Sequence, residues 1–343
     1  MNRILSLQFL RAFACLSVLF THVLEILHIR PFGNYYISGG YGVDIFFILS
    51  GFLIYITTKQ TEKWKGFAIK RFFRIFPMYW VSFFLLLSWF LITTQKSYSF
   101  LFYLQNLLMM PWSGQLTTKS LLVGVAWSTV YEVYFYFIFT LLLLFKLPKK
   151  YVGLLLVVIL IIMKVILRLD LFGLAGNSFF QYVSSIAGRT HIVPFLIGIG
   201  IGMIIGNERI VNWIKRNLQI TKILFLLMHL VYFFILSTKY FQTKSYIISM
   251  IIFVLWIHAD HIWKINYELP FCKFLLRVGD ISYSIYLLHI LVIYILLEGF
   301  GINNLGVLLL ASFVFSISLS LITFKFIEEP FVKIAKRIAA KFN

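Results

Sequence analysis

Charge is scarce in this chain. Of its 343 residues only 13% are Asp, Glu, Lys or Arg, whereas 61% are hydrophobic and the mean hydropathy is +0.92. A soluble domain carries about 25% charged residues, so a water-soluble globule is excluded and a polytopic membrane protein is the class that remains. Cysteine is scarcer still. Cys15 and Cys272 are the only two, and their separation offers neither a disulfide framework nor a metal-ligand spacing. No His, Cys or acidic constellation suggests a metal, so none is expected. Long polar stretches are also missing. The longest segment between apolar runs is 96–126, and a short basic piece follows 328. One integral-membrane domain over 1–343, with no appended soluble domain, is therefore expected, and any chemistry belongs in the membrane or at its edges.

Acidic residues are few, 12 against 31 Lys and Arg, for a net charge of +19. In a soluble protein that excess would suit nucleic acid. Here the basic residues sit at the ends of apolar runs, as topology determinants and anionic-lipid contacts do. Membrane lipids are thus expected partners and nucleic acid is not. AFAC around Cys15 faintly resembles a lipoprotein cleavage site, but Arg11 and Gln8 interrupt the preceding run and the apolar stretch continues past Cys15. A retained first helix is the better reading.

Apolar runs lie at about 4–28, 41–58, 73–95, 127–147, 150–168, 191–207, 219–237, 245–260, 281–298 and 305–327. They predict an all-α bundle of about ten transmembrane helices. FLFYLQNLLMMPW (100–112) is too short to cross and reads as a half-helix or lid in the interface. Basic residues in alternate loops divide 22 against 7, which predicts cytoplasmic termini.

Ionisable groups inside apolar spans are costly and mark candidate sites. Arg11 and His22 stand eleven residues apart, nearly three turns, so they share a face about 16 Å apart along the axis. A snorkelling arginine and an incidental histidine would give the same spacing. Asp44 in GGYGVDIFFILSGFLI reads either as a helix N-cap or as an acid at the depth of His22. Arg71 and Arg74 in KRFFRIFPMYW share a face at a span's cytoplasmic entrance. They suit phosphates, or plain positive-inside anchoring. In WSTVYEVYFY, Ser128, Glu132 and Tyr136 form one polar stripe, and Glu132 is too short to snorkel. In GDISYSIYLLHI, Asp280 reads as an N-cap and His289 as a packed or hydrogen-bonded core residue.

Taken in order, R-x10-H, GVDIFFILSGFLI, RFFR, WSTVYEVYFY and SYSIYLLH resemble the acyltransferase-3 family, bacterial integral-membrane acyltransferases best known as O-acetyltransferases of surface polysaccharides. The resemblance covers essentially the whole chain; Thr129 stands where that family is often apolar. It implies ten transmembrane helices in the bacterial cytoplasmic membrane. It also implies acetyl-CoA, or another acyl-CoA, as cytoplasmic donor substrate, with no permanently bound cofactor. Arg11 and His22 then match the family's Arg/His pair, Arg71 and Arg74 its R-x-x-R motif, and Glu132 the acid of its W-S segment. The expected roles are donor binding by Arg11, Arg71 and Arg74, and base catalysis by His22 with Glu132 and Asp44 orienting it. The acceptor would be a carbohydrate or lipid-linked glycan, reached directly or through a separate periplasmic partner. A glycan or lipid transporter, or an acetyl relay without an acceptor site, are the competing classes.

Overall fold

The computed structural model describes residues 4–29, 40–59, 61–95, 97–110, 121–168, 191–205, 212–213, 216–236 and 245–342. Among these residues all regular structure is helical, because a backbone in an apolar medium has to satisfy its N–H and C=O groups internally. The helices are α1 (Ser6–Ile26), α2 (Gly40–Thr57), α3 (Trp64–Thr94), α4 (Phe100–Leu108), α5 (Trp127–Leu143), α6 (Lys149–Arg168) and α7 (Ile192–Ile204). They continue with α8 (Leu218–Leu236), α9 (Ser245–Ile257), α10 (Ala259–Trp263), α11 (Pro270–Asp280), α12 (Ser282–Tyr294), α13 (Leu305–Thr323) and α14 (Glu329–Ala340).

Each of the ten apolar runs is helical over its described part. Among the described residues, five stretches are long and apolar enough to cross a membrane: Ser6–Ile26, Trp64–Thr94, Gly124–Leu143, Ser282–Gly299 and Leu305–Ala340. The other five runs form shorter apolar helices. Of the basic residues expected on the outer side, Arg30, Lys96, Lys119, Arg189, Lys239 and Lys244 lie outside the described residues.

The chain divides into two compact units, Met1–Thr57 with Val193–Leu319, and Thr58–Ile192 with Ser320–Asn343. In the first unit α1 is the central helix and contacts α2, α9, α11 and α12. Leu7, Leu10 and Ala14 of α1 join Ile45, Ile48, Leu49 and Phe52 of α2 in one buried cluster. Inside a bilayer, helix association rests on close packing rather than on water exclusion, so small residues gather where backbones meet. Gly51 of α2 and Gly198 of α7 show this reciprocally. A Cβ on Gly51 would stand 2.0 Å from the Phe195 carbonyl oxygen, and one on Gly198 would stand 2.0 Å from that of Ile48.

In the second unit α3 packs against α5 and α14, and α5 against α6. The interfacial segment is helical over Phe100–Leu108, with the Ser99 side chain accepting from the Phe102 N–H; Pro111 and Trp112 lie outside the described residues. Tyr79 and Trp80 of α3 donate to the Asn106 and Leu107 carbonyls, and the Asn106 side chain accepts from Leu122 N–H. Those bonds tie α4 down between α3 and the start of α5.

Two local expectations are revised. Asp280 is the last residue of α11 rather than the N-cap of α12. Asp44 is the fifth residue of α2, inside the helix and buried, not a cap. The basic C-terminal piece forms α14, whose Phe331 stacks on Phe73 of α3 at 5.9 Å. Its charged and apolar residues alternate with helical period, so one face can lie on α3.

Candidate active site

Helix α1 carries both residues of the opening pair. The Arg11 guanidinium donates through Nη1 to Gln8 Oε1 at 3.3 Å, one turn back on the same helix. His22, three turns further on, keeps about a quarter of its side-chain surface exposed (27%). Its Nδ1 lies 3.0 Å from Nε2 of His289 on α12, and the two rings are 5.0 Å apart between centroids. His289 itself is buried, with Nδ1 3.1 Å from the Ile285 carbonyl oxygen. On the other side of His22, Nε2 is 3.9 Å from Glu25 Oε2, also on α1.

The register behind this meeting is simple. Cys15 donates to the Ser282 carbonyl at 3.5 Å, so contacts between α1 and α12 occur at a constant offset of 267 residues, twice, two turns apart. The two helices therefore run parallel, with Cys15 and His22 on one stripe and Ser282 and His289 on the other.

Asp44 falls lower on α1 than its sequence position suggested. A Cβ on Gly42 would touch the Ala14 carbonyl and Val18, and the rest of α2 packs toward Leu10 and Leu7. This sets Asp44 near the level of Ala14, about 12 Å along the axis from His22 and nearer Arg11. The residues that meet His22 are instead His289 and Glu25.

Arg71, Arg74 and Glu132 belong to the second unit. The Arg71 guanidinium lies over the rings of Phe67 and Tyr136, 5.0 and 4.8 Å from their centroids. Tyr136 is one turn from Glu132, so R-x-x-R is about 6 Å in level from the half-buried acid. The helix that carries both, α3, starts at Trp64, nine residues before the apolar run, and continues unbroken through both arginines.

Two buried acids were not legible as site residues. Glu328 is ion-paired with Arg74, and Glu62 with Lys70. Glu328 lies in a π-helical turn, Phe324–Glu328, that joins α13 to α14. The sequence signal was there in FKFIEEPF, an acid directly behind a long apolar run, but nothing local gives its partner 254 positions away.

An acyl-transferring site in an apolar bundle needs a base for a hydroxyl and cations for a phosphorylated donor. The first unit provides an imidazole engaged at Nδ1 by another residue, and the second provides arginines set among aromatic rings and acids. No curated protein and no solved structure matches the chain. A family model described as an acyltransferase domain matches residues 4–325, nearly the whole length and all five motifs that carry the sequence resemblance, and on that match the chain belongs to the acyltransferase-3 family of membrane proteins.

Proposed function

We propose that the protein moves an acetyl or similar acyl group from cytoplasmic acetyl-CoA to a hydroxyl of a cell-surface or lipid-linked saccharide. In this reading it spans the bacterial cytoplasmic membrane ten times with both termini inside. The observation that carries the reading is His22. It stands on the central helix of the first unit, fixed through Nδ1 by His289 and still partly accessible, within a chain of an acyltransferase family.

The roles are assigned unit by unit. His22 takes the proton of the acceptor hydroxyl as its oxygen bonds to the thioester carbon. The tetrahedral intermediate collapses by breaking the C–S bond, and the departing thiolate recovers the proton from the imidazolium. Arg11 and Asp44 lie on the same unit, Arg11 for the donor and Asp44 for the acceptor or base. In the second unit Arg71 and Arg74 bind the donor phosphates. Glu328 holds Arg74 in place for that task. Glu132, one turn from the Tyr136 ring that supports Arg71, is the acid of that unit.

The test is incorporation of radiolabelled acetyl from acetyl-CoA into the saccharide fraction of native membrane vesicles. His22→Ala is expected to lose activity by about 10²–10⁴-fold while inserting and accumulating normally. Wild-type turnover in that variant would overturn the assignment. Label recovered only as vesicle-entrapped free acetate or intact donor would favour a transporter instead.

A further inference from the structure

We propose that His289 is the positioning residue of the His22 base, holding that ring in the tautomer whose bare nitrogen is Nε2. The inference rests on the reading of His22 as base and goes beyond it, because it says which nitrogen acts and what makes it so.

The proton positions follow from the chain of contacts. A carbonyl oxygen only accepts, so the 3.1 Å contact between His289 Nδ1 and the Ile285 carbonyl requires a proton on Nδ1. A neutral imidazole carries one N–H, which makes His289 Nε2 an acceptor. The atom facing it at 3.0 Å is His22 Nδ1, and that nitrogen must therefore be the donor. The lone pair of neutral His22 is then on Nε2, the nitrogen that faces Glu25 Oε2 at 3.9 Å and the less buried side of the pair. The opposite arrangement, with Nε2 protonated, would leave two lone pairs facing each other between the rings.

The same contacts prepare the charged state. When His22 takes a proton at Nε2, its Nδ1–H bond to His289 becomes charge-assisted and strengthens. The half-exposed Glu25 carboxylate faces the new cation at close range. His289 cannot turn away to lose this bond, because its own Nδ1–H is held by the carbonyl one turn below and its ring is buried. The arrangement follows the logic of a hydrogen-bonded partner that sets the tautomer of a catalytic histidine, with an imidazole in place of a carboxylate.

The experiment uses full-length protein in native membrane vesicles with labelled acetyl-CoA. His289→Leu keeps bulk and removes the acceptor; kcat is expected to fall on the order of 10²-fold with KM for acetyl-CoA unchanged. His289→Gln offers an amide N–H to Ile285 and a carbonyl to His22, and is expected to recover at least tenfold over the leucine variant. Wild-type kcat in His289→Leu, or no recovery in a glutamine variant that accumulates normally, would overturn the proposal. The base reading fails separately, if His22→Ala stays active. Should the His289 variants not accumulate, solid-state NMR of the wild type labelled with 15N-histidine decides. The His22 signals, identified by their loss in His22→Ala, are expected to show a protonated Nδ1 and a bare Nε2, and the reverse pattern would overturn the proposal.

Discussion

At the scale of single residues, the ion pairs of the second unit carry a stability argument distinct from catalysis. Glu328 is almost fully buried while Arg74 keeps 30% of its side chain exposed. Removing either partner takes a buried ion-pair contact from the other, which costs about 1–3 kcal/mol at a half-open site. Glu328→Gln is expected to lower the thermal midpoint of the detergent-solubilised protein by several degrees, read from tryptophan fluorescence. The double variant Arg74→Gln/Glu328→Gln should lose less than the sum of the two single changes, since either change alone already removes the shared ion pair. Additivity would show that the two side chains are not coupled. His22 and Arg11 could be picked out in advance because an ionisable group in an apolar run stands out locally. The partner that such a residue meets could not be. His289 and Glu328 meet partners 267 and 254 positions away, and no periodicity within either segment encodes that meeting.

At the scale of elements, the apolar runs located helices, but their edges were displaced wherever an amphipathic stretch extended or preceded a run. The helix α3 begins among lysines at Trp64, and α11 and α14 mix charged with apolar residues, which conceals them from a search for hydropathy alone. The backbone contact between α2 and α7 was equally hidden, since a glycine in an apolar run does not announce which helix it touches. Gly51→Ala and Gly198→Ala each introduce a methyl group into a carbonyl oxygen at 2.0 Å, so the helices must part. A loss of about 1–3 kcal/mol is expected from overpacking of this kind, seen as reduced accumulation and a lower thermal midpoint. Gly200→Ala on the same helix meets nothing within 4 Å and is expected to leave both unchanged. Equal effects at positions 198 and 200 would mean that glycine's role there is not the close approach.

At the scale of the whole molecule, the charge asymmetry gives an orientation and the helix register gives a constraint that does not depend on charge. Since α1 and α12 run parallel, fusions after Ile29 and after Gly301 are expected to report the same side of the membrane. Alkaline phosphatase fused after either residue is expected to be active, and a fluorescent protein fused at the C-terminus is expected to fold and fluoresce in the cytoplasm. Opposite outcomes after 29 and 301 would contradict the parallel register itself. Like outcomes at both, but reversed from expectation, would retain the register and invert the orientation read from the lysines and arginines.

The 267-residue offset also has a meaning in time. A chain growing at about 5–20 residues per second completes α1 on the order of 10–60 s before its partner helix exists. Throughout that interval Arg11 and His22 have no α12 to pack against. The insertion machinery or earlier helices such as α2 must shelter them until then. The two rings of the pair at the heart of the first unit are made 267 residues apart. A ribosome that stalls before Ser282 therefore leaves a helix bearing His22 without the ring of His289 that it meets in the finished fold.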